Sequence, residues 1–86
     1  MDNKRPMNEL ADEITKLKKE ITVGANYAHY KDPSKTYTVK GFAVIQATQV
    51  IGVVYQTNYG PKLTFVRPAS EWLDVIDDIP RFRKLS

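Results

Sequence analysis

From Met7 onward the apolar positions Met7, Leu10, Ile14, Leu17 and Ile21 recur at spacings of three, four, three and four. That is the stripe of an amphipathic helix, and it predicts one over 7–22. Glu9, Asp12 and Glu13 come early and Lys16, Lys18 and Lys19 late, the order the helix dipole favours. Asn8 is placed to cap the start, and Gly24 lies just past the end. About two heptads are too few for an independent coiled coil. The stripe therefore packs across the chain's own β layer, or pairs with another protein or a second copy. A homodimer would bury Leu10, Ile14, Leu17 and Ile21.

After Gly24 the period changes from helical to alternating. Asn26 to Lys31 reads as a short strand, closed by the turn cluster Asp32-Pro33-Ser34-Lys35. Tyr37 to Gln46 reads as a longer strand, with Tyr37, Val39, Gly41, Ala43 and Ile45 on one face and Phe42 and Val44 on the other. Apolar character on both faces predicts strong bending at Gly41. Val50 to Thr57 returns, with Gly52 as a second bend. Asn58-Tyr59-Gly60-Pro61 is a turn and Lys62 to Arg67 a fourth strand. Ser70 is placed to cap a helical turn at 71–74, and residues 80–85 close as a fifth strand.

This order predicts a mainly β fold: an SH3-like five-stranded small barrel with an N-terminal α-helix. An OB-like (oligonucleotide-binding) barrel is the alternative, disfavoured by the short helical element before the last strand. Residues 1–6 are expected to be a flexible N-terminus, 7–22 the helix and 24–86 the barrel. Eighty-six residues make one domain. With 42% hydrophobic and 27% charged residues it is ordinary globular material. No apolar run is long enough for a bilayer and no signal peptide is visible, so no membrane association is expected. The absence of cysteine excludes disulfides and thiolate chemistry, and a reducing, cytoplasmic setting is expected. A domain this small without staples gains from self-association, which favours a homodimer or other homo-oligomer.

Charge adds one distinction. Residues 1–23 are neutral, five cations against five anions, so the excess of +3 lies in the remainder. Between residues 24 and 67, Lys31, Lys35, Lys40, Lys62 and Arg67 face a single acid, Asp32. On one face they would attract phosphates; scattered, they would keep strand edges soluble.

Little in the chain points to catalysis. The single His29 cannot hold a metal alone, and nothing at fixed spacing offers it a nucleophile. Phosphate-loop, serine-hydrolase and zinc-protease motifs are missing. No enzyme, no cofactor and no metal are expected. Arg67, before Pro68, is either paired with Glu71 or Asp74 or aimed at an anion. Phe42, Phe65 and Phe82 read as core. Tyr30, Tyr55, Tyr59 and Trp72 are candidates for an exposed aromatic site; packing in the core and on the sheet surface is the competing reading, favoured for Trp72.

The barrel region also carries an ordered series of short motifs: Tyr27/His29/Tyr30/Lys31, Tyr37/Val39, Val53/Val54/Tyr55, Tyr59/Gly60, Val66/Arg67/Pro68 and Pro80/Arg81/Phe82. In that order they resemble a small bacterial and phage-encoded family, the domain of unknown function 1653, over residues 24–84. Members have His-Ser-Glu-Thr where this chain has Gln46-Ala47-Thr48-Gln49, and Met-Phe near the place of Trp72. Asp32-Pro33 extends a turn that is usually Gly-Asn, and the helix lies outside the pattern. The resemblance implies a compact β fold and a bacterial or phage origin. It implies no activity.

The expectation is a non-catalytic binding module for a small anionic or nucleotide-like ligand, held by His29, Tyr30, Lys31, Tyr55, Arg67 and Trp72. Nucleic-acid binding by the same face, and a protein adaptor acting through the helix, are the alternatives.

Overall fold

In the computed structural model, which describes residues 5–85, helix α1 (Met7–Leu17) precedes an antiparallel meander. Its strands are β1 (Asn26–His29), β2 (Asp32–Ile45), β3 (Val50–Thr57) and β4 (Thr64–Pro68). Then come the single helical turn α2 (Ala69–Trp72), a small hairpin of β5 (Val75–Ile76) and β6 (Ile79–Pro80), and β7 (Phe82–Lys84). The main sheet runs β4-β3-β2-β1-β7. The expected barrel does not close: β4 and β7 are the two edges and do not pair. The hairpin at 75–80 was not anticipated, and it shortens the last strand to three residues.

The apolar stripe of α1 is spent inside the molecule. Leu10, Leu17 and Ile21 are buried, Ile21 to 1% exposure, and Ile14 packs against the same core. Met7, by contrast, is 84% exposed. The helix lies against β3, so packing on its own sheet is the arrangement realised, and the oligomerisation face expected of Leu10, Ile14, Leu17 and Ile21 is already covered. The helix also stops earlier than its stripe. After Leu17 the chain tightens into i→i−3 bonds, Lys19 N–H to the Lys16 carbonyl at 3.1 Å and Glu20 N–H to the Leu17 carbonyl at 3.0 Å. That turn swings Ile21 into the core, and the Thr22 N–H donates to the Tyr27 hydroxyl at 2.9 Å. Pro6, not Asn8, is the N-cap, without a side-chain cap. Of the expected flexible N-terminus, residues 1–4 lie outside the described residues; Arg5 is held by Glu9, Glu13 and the Gln49 carbonyl.

The long strand β2 carries the bend predicted at Gly41, in the form of a bulge between Val39 and Gly41. A bulge adds a residue to one strand and reverses the alternation beyond it. Val39 and Phe42, expected on opposite faces, therefore both reach the core. The segment Asp32-Pro33-Ser34-Lys35 belongs to β2 rather than to a turn, because the hairpin reverses earlier, at Tyr30 and Lys31. Gly52 is no bend, since β3 pairs regularly through it. A Cβ there would run into Val66 Cγ1 and come within 3.2 Å of Ile45 Cδ1, so its role is to let two side chains close over the backbone. Phe65, expected in the core, sits on edge strand β4 and is 44% exposed. The helical turn before the last strand begins at Ala69, capped by Pro68 without help from Ser70.

Candidate functional site

The inner face of the sheet is organised around Phe82. Trp72 stacks on it with ring centroids 3.8 Å apart and planes 5° from parallel. Tyr37, Tyr55 and His29 surround it at 5.8, 6.1 and 5.1 Å. Such offset and edge contacts add to the burial of large rings. The cluster explains why two expected ligand contacts are not available. Trp72 is 2% and Tyr55 7% exposed, held by each other at 5.0 Å and by Tyr27 against Trp72 at 5.3 Å. They form the floor beneath any site, not its walls.

The other four expected residues do gather, at the open seam between β4 and β7. Register sets His29 directly opposite Phe82, and the hairpin turn places Tyr30 and Lys31 beside it. His29 and Tyr30 rings lie 4.9 Å apart, and Lys31 Nζ stands 5.9 Å from the Tyr30 centroid. From the opposite edge Arg67 reaches across, its guanidinium carbon 5.6 Å from the Phe82 centroid. Arg81, between β6 and β7, completes the group. Its carbonyl accepts from Tyr30 N–H at 2.9 Å, and its N–H donates to the Asp74 carbonyl at 2.8 Å.

Each arginine spends a terminal nitrogen on one carboxylate: Arg67 Nη1 on Glu71 Oε1 at 3.3 Å, and Arg81 Nη2 on Asp74 Oδ2 at 3.4 Å. Both acids are about half exposed, and pairs of that kind contribute little to stability. The inner nitrogens differ. Arg67 Nε and Arg81 Nε are buried and find no acceptor among the described residues, although buried donors are rarely left in that state. His29 adds a third donor. Its Nδ1 accepts from the Lys31 N–H at 3.2 Å, so the proton of the neutral ring sits on Nε2. Burial, and then Arg67, Arg81 and Lys31, hold its pKa below the usual 6.5.

Sequence reasoning missed Arg81 as a partner of Arg67. The signal was the Pro80-Arg81-Phe82 motif, but only the sheet register brings it to the same seam. Tyr59, the remaining aromatic candidate, lies elsewhere. Its hydroxyl is 3.1 Å from that of Tyr37 and Lys35 Nζ is 5.4 Å from its ring. Burial and then that hydrogen bond push the Tyr37 hydroxyl above its ordinary pKa. Among the described residues no three His, Cys, Asp or Glu side chains gather as a metal site requires, and no helix is long and apolar enough to cross a membrane.

No curated protein and no solved structure matches the chain. A family profile does match, over residues 25–84, which spans the whole sheet and leaves out α1. The chain thus belongs to the DUF1653 family, described as a protein of unknown function.

Proposed function

We propose that this domain is a non-catalytic binding module whose open seam takes a small anionic ligand. The observation that carries the reading is the pair of buried Nε donors of Arg67 and Arg81, which find no acceptor among the described residues, close to His29. Guanidinium N–H groups left free in a partly dry site bind oxyanions through charge-assisted bonds. Lys31 supplies further positive charge, and Tyr30 an apolar flank. The strand order β4-β3-β2-β1-β7, with a helical turn after β4, supports an SH3-like roll opened along this seam.

The test is a titration of labelled protein with small oxyanions, followed by amide chemical shifts, together with thermal melts of Arg67→Ala. Loss of binding with a melting temperature within a few degrees of wild type is the expected result, because the pair Arg67 makes with half-exposed Glu71 contributes little. Equal loss of binding and stability would make Arg67 a structural residue and end the proposal. An oligonucleotide that binds with steep salt dependence while small anions do not would move the function to nucleic acid.

A further inference from the structure

We propose that the group held at the seam is a phosphate-class dianion, and that its binding drives a proton onto His29; this rests on the anion-binding reading above. The charges facing His29 come from four directions. Its own hairpin turn brings Lys31 and the uncharged Tyr30. Strand β4 brings Arg67 with Glu71 of α2 attached. The link before β7 brings Arg81 with Asp74 attached, and β7 itself offers only Phe82. Strand β2 sets Asp32 opposite His29 in the register, with Lys35 on its carboxylate at 3.9 Å; four cations against three carboxylates leave one positive charge over, with His29 neutral. A carboxylate ligand would be balanced by that single charge.

A dianion brings one negative charge more. Of the groups present, His29 is the one that can answer it near neutral pH by taking a proton from solvent. The donors point the same way. Arg67 Nε, Arg81 Nε and His29 Nε2 come from three separate segments. Three donors call for more than two acceptor oxygens, which a phosphate group offers and a carboxylate does not. Protonation at Nδ1 opens the bond from the Lys31 N–H, in the free and the bound protein alike. That cost lowers proton affinity equally in both states and leaves the sign of the coupling unchanged.

Sulfate is the cleanest probe, because its charge stays fixed where a phosphate ester titrates, at about pH 6. Calorimetric titrations with sulfate, inorganic phosphate, AMP and acetate at constant ionic strength form the experiment, with His29→Gln as the variant. Sulfate affinity is expected to rise as pH falls from about 8 to about 6, by up to about tenfold per unit for one linked proton. The slope should vanish in His29→Gln, and the Lys31 amide resonance should shift on binding only in wild type. AMP binding more tightly than phosphate would point to a phosphate ester, and equal binding to the free ion; both fit a dianion site. A pH-independent sulfate affinity in wild type, or acetate binding as tightly as sulfate, would overturn the inference while leaving an anion site in place. No response to any of the four would remove the reading beneath it.

Discussion

His29 sits neutral among cations, and this has a cost once the solvent turns acidic. In the unfolded chain its ring protonates near the ordinary 6.5, whereas in the folded protein burial and then Arg67, Arg81 and Lys31 hold the value lower. Below about pH 6.5 the unfolded state therefore binds more protons than the folded one, and stability rises with pH across that window. Thermal melts between about pH 5 and about pH 8 should show a melting temperature that falls on the acid side of about 6.5. His29→Gln should flatten that fall. Asp32, held below its usual 3.8 by the Ser34 hydroxyl, loses its contribution only at still lower pH. How much of the site the sequence disclosed follows the same physics. Lys31 and Arg67 stand out as candidates because charged side chains are rarely idle, and His29 because it is the single imidazole. Tyr55 and Trp72 were open in the sequence because an aromatic side chain reads alike as a stacking platform and as core. Which one it is depends on neighbours such as Phe82 that only the register supplies.

Among the elements, β3 shows how a small residue can decide packing. Gly52 is buried beneath Val66 and Ile45, side chains from the strands on either side. Gly52→Ala would force the Val66 side chain to move, and overpacking of this kind costs about 1–3 kcal/mol. Chemical denaturation should show that loss, and Val66→Ala in the same chain should recover part of it by vacating the space. The glycine was visible in the sequence but its reason was not, because a bend and a close approach leave the same mark. The helix stripe was legible to the residue at Leu10, Ile14, Leu17 and Ile21, since burial on any surface demands it. What it packs against is a tertiary fact, and the period alone could not choose between β3 and a second copy. The turn at Asp32-Pro33 was lost for the opposite reason. Strong local turn chemistry yielded to a hairpin that had already reversed at Tyr30 and Lys31.

Taken whole, the molecule is more spread out than its length requires. Its radius of gyration is 13.6 Å, against about 12 Å for a compact domain of this size, as fits a sheet left open rather than curled shut. The five strands of the main sheet were recoverable from alternation and turns, and the small hairpin at 75–80 was not; nor was closure, since it depends on whether two edges distant in sequence come within bonding reach. Here β4 and β7 are joined only by side chains, with Arg67 laid over Phe82. The outward amides of both edges thus lack the ladder bonds that slow exchange with solvent. An ion gripped by Arg67 on one edge and Arg81 beside the other would serve as a removable clasp. Hydrogen–deuterium exchange should then slow on adding sulfate in two stretches at once, 64–68 and 82–84, and in neither alone. Were that so, ligand and fold would share one fastening: filling the gap would stiffen the molecule, and emptying it would let the two lips part.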